Sequence, residues 1–263
     1  MSLLLSLLIA GALVRDVSFP NSTGGRTGAY LVEPSGKTKK GPGVLFVHWY
    51  ETDAPDSNRS QFLREAIPLA EDGVTSLLID TMWSESKWFL SRDSARDVEE
   101  SERQVRDLGK ALDYLLANPR VDGARVAYVG HDFGAMYGMV LASRDRRVKA
   151  WALQAGTASF SDWFLYYPKR DGADRQAFID RLAPLDPVKH IGNATPVLLQ
   201  FATKDPFVPE TKAKVLIEAA REPKTVLWYE AGHPLTEKAV EDRLAWLRQQ
   251  LGAATRPRPA QRP

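Results

Sequence analysis

The chain of 263 residues contains no cysteine, which removes disulfides, thiolate metal centres and a cysteine nucleophile from consideration. Histidine is scarce as well, at four residues, and no His/Asp/Glu grouping falls at metal-ligand spacing. A glycine-rich phosphate loop is missing. Neither sign of charge dominates: 35 Lys and Arg stand against 33 Asp and Glu, a net charge of +2. Arg256, Arg258 and Arg262 lie in the terminal stretch, and without them the chain stands at −1. A body so close to neutral has no clustered basic face, so neither nucleic acid nor an anionic membrane is expected as a partner.

What remains is a 44% hydrophobic, 26% charged sequence with material for a substantial core, organised as one domain over residues 16–252 with one insertion. The apolar segment 1–15 holds the run Leu3 to Val14, too short to cross a bilayer. It is expected to pack at the N-terminus. The alternative is a secretory leader ending at Ala10-Gly11-Ala12, against which stands the lack of a basic flank. The first reading places the protein in the cytoplasm, the second outside it or in a periplasm. Residues 253–263 form a Pro/Arg tail expected to be disordered.

From Asp16 onward short β-rich runs alternate with helical stretches, which predicts an α/β fold with a mostly parallel, doubly wound sheet. Strands are expected at Val14–Phe19, Ala29–Glu33, Gly43–His48, Thr75–Asp80, Arg125–Val129, Val148–Gln154, Pro196–Ala202 and Thr225–Tyr229. Helices are expected at Arg59–Glu71, across Val98, Val105, Leu108, Leu112 and Leu115, after Phe133, and at Glu210–Ala220 and Leu235–Leu251. The segment of about 157–195 is too long for an ordinary connection and rich in aromatics, so it is expected to be a short helical lid.

Gly130-His131-Asp132-Phe133-Gly134 sits between a strand and a helix. Gly-x-x-x-Gly at that junction makes a sharp turn that exposes its middle residue at the carboxyl edge of the sheet. That residue is Asp132. Asp205 follows a later strand, and His233 the strand after that, in the order nucleophile, acid, histidine. Taken singly, Asp132 could also cap a helix and Asp205 a turn.

Together with Val44 to Tyr50 and the Leu185-Asp186-Pro187 stretch, these residues resemble the α/β-hydrolase superfamily, and most closely its dienelactone-hydrolase-like branch. The branch carries Cys or Ser at the elbow. An Asp there is similar instead to epoxide hydrolases and haloalkane or haloalkanoate dehalogenases. The resemblance implies a cofactor-free hydrolase acting on a small molecule, with a triad of Asp132, Asp205 and His233. A carboxylate attacking an sp³ carbon yields an ordinary ester, whereas attack on an acyl carbon yields an anhydride. An epoxide or carbon–halogen substrate is therefore the leading expectation. A carboxylic ester or lactone, or ligand binding without chemistry, are the alternatives.

The backbone N–H groups of Trp49 and Phe133 are the expected oxyanion hole. His48, Tyr50, His131, Trp163, Tyr166 and Tyr167 are the candidates for substrate contact, with a supporting role inside the fold as the rival reading of His48 and His131. No metal ligand is assigned, and a homodimer stays open.

Overall fold

Near-continuous apolar runs such as Val44 to Val47 and Leu77 to Ile79 build strands that are buried on both faces. A computed structural model describes residues 6–9, 11–36, 39–52 and 58–253. Its strands are β1 (Ser6–Ile9), β2 (Ala12–Pro20), β3 (Arg26–Pro34), β4 (Gly41–Val47), β5 (Thr75–Ile79), β6 (Val121–His131), β7 (Ala150–Gln154), β8 (Val197–Ala202) and β9 (Lys224–Tyr229). They form one sheet in the order β1-β2-β3-β5-β4-β6-β7-β8-β9. The pairings β1/β2, β2/β3 and β3/β5 are antiparallel, and the rest are parallel.

Helices α1 (Leu63–Glu71), α2 (Trp88–Ser91), α3 (Asp97–Ala117), α4 (Phe133–Arg144), α5 (Ser161–Phe164), α6 (Gly172–Leu182), α7 (Glu210–Ala219) and α8 (Glu237–Leu251) complete the fold. Leu45, Val47, Tyr128 and Leu199 join Leu108, Leu112, Met136 and Val140 of α3 and α4 on one face. Val44, Phe46, Val129 and Leu198 join Ala66, Leu69, Leu244 and Leu247 of α1 and α8 on the other. This is the α/β-hydrolase architecture.

The strand order reverses around β4, because the chain crosses to β5 on one side and to β6 on the other. Such a reversal opens a crevice at the carboxyl ends of the strands. The loop after β4 and the turn after β6 meet there.

The expected elements are present with shifted ends. β6 starts at Val121 rather than Arg125, and the segment before α1 begins as a 3₁₀ turn over Arg59–Phe62. Two features were not expected. The N-terminal apolar segment holds an edge strand, β1, paired with β2, and α2 arises in a stretch with no helical periodicity. In 157–195, α5 and α6 are followed by 3₁₀ turns at Ala183–Leu185, Pro187–Lys189 and Ile191–Asn193. Of the expected tail, residues 254–263 lie outside the described residues.

A buried ion pair ties the helices of one face together. Arg243 on α8 donates through Nε and Nη2 to both carboxylate oxygens of Glu65 on α1, at 2.8 and 2.6 Å, and through Nη1 to Gln200 Oε1 at 2.6 Å. Both side chains are almost completely buried. Removing one partner strands the other charge, so Glu65→Ala should lose ~3–5 kcal/mol of stability. Urea unfolding checks this, and a change below ~1 kcal/mol would contradict it.

Candidate active site

The geometry of the turn after β6 follows from its glycines. A Cβ on Gly134 would stand 2.1 Å from the Val47 carbonyl oxygen, and one on Gly130 would stand 2.4 Å from that of Gly134. Only glycine lets the start of α4 come this close to β4. Between them Asp132 takes φ 53° and ψ −118°, a region costing about 1–3 kcal/mol for a residue with a side chain. The turn is fixed on both sides, by Asp132 N–H to Gln154 O at 2.9 Å and Met136 N–H to Asp132 O at 3.0 Å.

Asp132 is 2% exposed. Tyr50 N–H donates to its Oδ2 at 3.4 Å, while Oδ1 is buried with no hydrogen-bond partner among the described residues. Burial pushes its pKa up to about 6, against the opposing pull of the His233 charge and the N–H groups of Tyr50 and Phe133. A carboxylate with one oxygen held by backbone donors and the other bare is a competent nucleophile.

Asp205 uses its two oxygens differently. Oδ1 accepts from the N–H groups of Phe207 and Val208 at 2.8 and 3.1 Å, closing the turn after β8, and Oδ2 accepts from His233 Nδ1 at 2.7 Å. Burial raises the Asp205 pKa, but these bonds and the His233 charge bring it below the usual value. For His233 burial acts downward, and the Asp205 bond with the charges of Asp132 and Asp205 outweighs it, so its pKa lies above the ordinary 6.5. With Nδ1–H committed to Asp205, Nε2 is the basic nitrogen. The structure thus brings Asp132, Asp205 and His233 together.

Other expected placements are corrected. The Trp49 N–H is taken by Gln61 Oε1 at 2.9 Å, so the donor next to Asp132 is the Tyr50 N–H, one residue further on. His48 is buried beneath the loop, with Nδ1 2.6 Å from Trp49 O and Nε2 2.9 Å from Ser84 Oγ. It does not line the cavity above Asp132. His131 does not line it either. Its Nδ1 accepts from Gln61 Nε2 at 2.7 Å and its Nε2–H donates to the His233 carbonyl at 3.1 Å. Burial and the charges of His233 and Arg243 drive the His131 pKa well down, which keeps Nδ1 an acceptor. Tyr167 is exposed away from the cavity, with Arg92 donating to its carbonyl.

The cavity measures about 420 Å³, and its walls include Trp49, Tyr50, Phe89, Trp163, Tyr166 and Phe207. Trp49 stacks on His233 with ring centroids 5.6 Å apart and planes 2° apart. Trp163 and Phe207 flank the same imidazole. Trp163 Nε1 is buried without a hydrogen-bond partner among the described residues.

Gln61, Phe89, Phe207 and Glu51 were not foreseen. Phe207 follows Asp205 by two residues, a proximity that could have flagged it. Gln61 and Phe89 sit in stretches whose sequence carries no motif.

A family model for peptidase S9, the prolyl oligopeptidase family, matches residues 62–254. The chain belongs to that family. The family match takes in the elbow, Asp205 and His233, but not the Tyr50 loop. Among curated proteins the chain is similar to the polyketide transferase ATR5 of Stachybotrys chlorohalonatus, 28% identical over 171 residues, 65% of this chain and 52% of that one. It thus spans about half the length of that relative. Among solved structures it superposes on an acetyl xylan esterase from Paenibacillus sp. R4, with TM-score 0.75 and 16% identity over 94% of this chain and 88% of that one. A Klebsiella pneumoniae protein assigned as a dienelactone hydrolase gives TM-score 0.67 and 16% identity over 92% and 99%. At such identities these two establish the fold. The chain therefore has the α/β-hydrolase fold, which it shares with both.

Two outcomes follow from this geometry. The Asp132 pKa is higher in the fold than the ordinary 3.8. The associated stability is therefore complete below about pH 4 and lost as pH rises through about 6. Asp132→Asn should be more stable than the parent by ~3 kcal/mol at pH 8 and equal to it near pH 3. Thermal unfolding at the two pH values checks this, and an unchanged or lower Tm at pH 8 would contradict it. Gln61 joins the Tyr50 loop to His131, and His131 joins the elbow to His233. Gln61→Leu should lower kcat by roughly 10–100-fold with KM little changed. A fall in Tm with kcat intact would show that Gln61 only supports the fold.

Proposed function

We propose that the chain hydrolyses a substrate at an sp³ carbon, an epoxide or a carbon–halogen bond, through an alkyl ester of Asp132. One observation carries this reading: Asp132 Oδ2 itself faces the Tyr50 N–H, leaving Oδ1 bare. In a serine-type ester hydrolysis those donors receive the substrate carbonyl. Here they face a carboxylate oxygen of the enzyme, the atom that becomes the carbonyl oxygen of an Asp132 ester.

In the first step Asp132 Oδ1 attacks the carbon and the carbon–leaving-group bond breaks. A ring-opened epoxide oxygen takes a proton from a cavity phenol, for which Tyr50 and Tyr166 are the candidates. A halide would leave as the ion, and the unpartnered Trp163 Nε1–H is a donor for it. In the second step His233 Nε2 takes a proton from water as that water attacks the Asp132 carbonyl carbon. The oxyanion faces the N–H groups of Tyr50 and Phe133, and collapse releases the alcohol with the original Asp132 Oδ1.

A second reading is hydrolysis of a carboxylic ester or lactone, with His233 activating water directly. The comparisons favour it over the first, since the solved structures of like fold include an acetyl xylan esterase. It requires the Asp132 carboxylate to give up its backbone donor to the substrate carbonyl.

His233→Ala should accumulate an alkyl adduct on the Asp132 peptide, and single turnover of the parent in H₂¹⁸O should place the label in Asp132. Label in the product acid, with an adduct-free peptide, would instead establish the ester reading. The two steps should also separate by pH. Adduct formation needs the Asp132 carboxylate and should rise through about pH 6, whereas its hydrolysis needs neutral His233 and should rise above 6.5.

A further inference from the structure

The charged groups around the cavity are unbalanced. Glu51 stands exposed at the wall, Asp132 lies at the floor, and no Lys or Arg lines the cavity among the described residues. Among the described residues the imidazole of His233 is the one group of the lining that can carry positive charge, and it is held between two carboxylates, bonded to Asp205 Oδ2 at 2.7 Å and facing the charge of Asp132. The Lys and Arg side chains around the cavity do not reach its lining. Arg92 is buried on Asp97, Nε to Oδ1 at 3.0 Å, Lys212 pairs with Asp162 at 2.9 Å, and Lys169 lies 5.5 Å over the Tyr166 ring without reaching the lining.

Beside Thr52, His233 and Pro234 the rest of the wall is six aromatic rings, whose faces carry the negative end of a quadrupole. A bound carboxylate needs a cationic fork or converging donors, and here it would meet two like charges instead. A quaternary ammonium, by contrast, is attracted both by ring faces and by the carboxylates.

We propose that this site takes uncharged or cationic aromatic or apolar substrates and rejects carboxylate-bearing ones, with Glu51 as the residue that sets this discrimination. The inference rests on the cavity being the substrate site under Proposed function, but not on which bond is broken. Within that reading it sets neutral epoxides, haloalkanes or esters apart from haloalkanoates and other acids.

Three probes that share one phenyl ring and differ in charge test it by binding alone: benzyl alcohol, benzyltrimethylammonium and benzoate, titrated against the tryptophan fluorescence of the full chain. Benzyltrimethylammonium should bind at least as tightly as benzyl alcohol, and benzoate at least about tenfold more weakly than either, the size of one unfavourable charge contact. Glu51→Lys should bring benzoate up by about tenfold or more and weaken benzyltrimethylammonium, with Glu51→Gln between. Glu51 is exposed, so these variants should fold, and circular dichroism checks that they do. Equal binding of benzoate and benzyl alcohol, an unchanged ratio in Glu51→Lys, or binding by none of the three would each overturn the proposal. Because binding is read without turnover, an Asp132→Asn chain, which keeps Glu51, should lose chemistry but retain the same order of affinities with a smaller spread, which separates this inference from the mechanism.

Discussion

The site depends on one close approach, the Gly134 backbone against the Val47 carbonyl. Without side chains at Gly130 and Gly134 the start of α4 can sit on β4, and the turn between them must then pass through a left-handed residue. That residue is Asp132, at φ 53°. The same approach puts its carboxylate beside the loop that follows β4, so the Tyr50 N–H reaches it. Backbone strain, burial and the supply of donors are therefore one arrangement.

Its electrostatic consequence is a carboxylate taken out of water and left partly unsatisfied. A fold built for stability alone would pair or expose such a group. Here one oxygen stays bare, and the nearest compensation is a histidine held by a second carboxylate. His131 and Gln61 hold the three loops in register: Gln61 fixes the loop before Tyr50, and His131 fixes the carbonyl of His233. A histidine before the elbow residue thus serves position rather than proton transfer, because burial keeps it neutral.

Much of this was legible in the sequence because it depends on local constraints. Gly130 and Gly134 announce a turn that no other residue tolerates, and continuous apolar runs such as Gly43 to Val47 announce strands buried on both faces. Asp205 and His233 could be placed because each directly follows such a strand. What stayed hidden depends on which neighbour claims a donor. The Trp49 and Tyr50 N–H groups are equivalent in sequence, and only the position of Gln61, twelve residues on from Trp49, decides that Trp49 is occupied and Tyr50 is free. His48 looked like a pocket residue for the same reason, since a strand-end histidine can point up or down. Phe89 had no periodic pattern to reveal it. It is set by Arg92, whose guanidinium lies 4.1 Å over its ring while pairing with Asp97.

The likeness to esterases and the aspartate at the elbow are compatible on chemical grounds. An alkyl ester of Asp132 is itself a carboxylic ester, and its hydrolysis needs what any esterase supplies: two backbone donors for the oxyanion, a histidine to activate water and a carboxylate to orient it. The difference is confined to whose carbonyl faces the donors. A serine oxygen at this position would leave them open for a substrate carbonyl, whereas an aspartate carries its own carbonyl oxygen into reach of them. On the proposed mechanism, one residue type at the elbow changes which bond of the substrate is attacked, while the scaffold, the histidine and its acid can stay as they are.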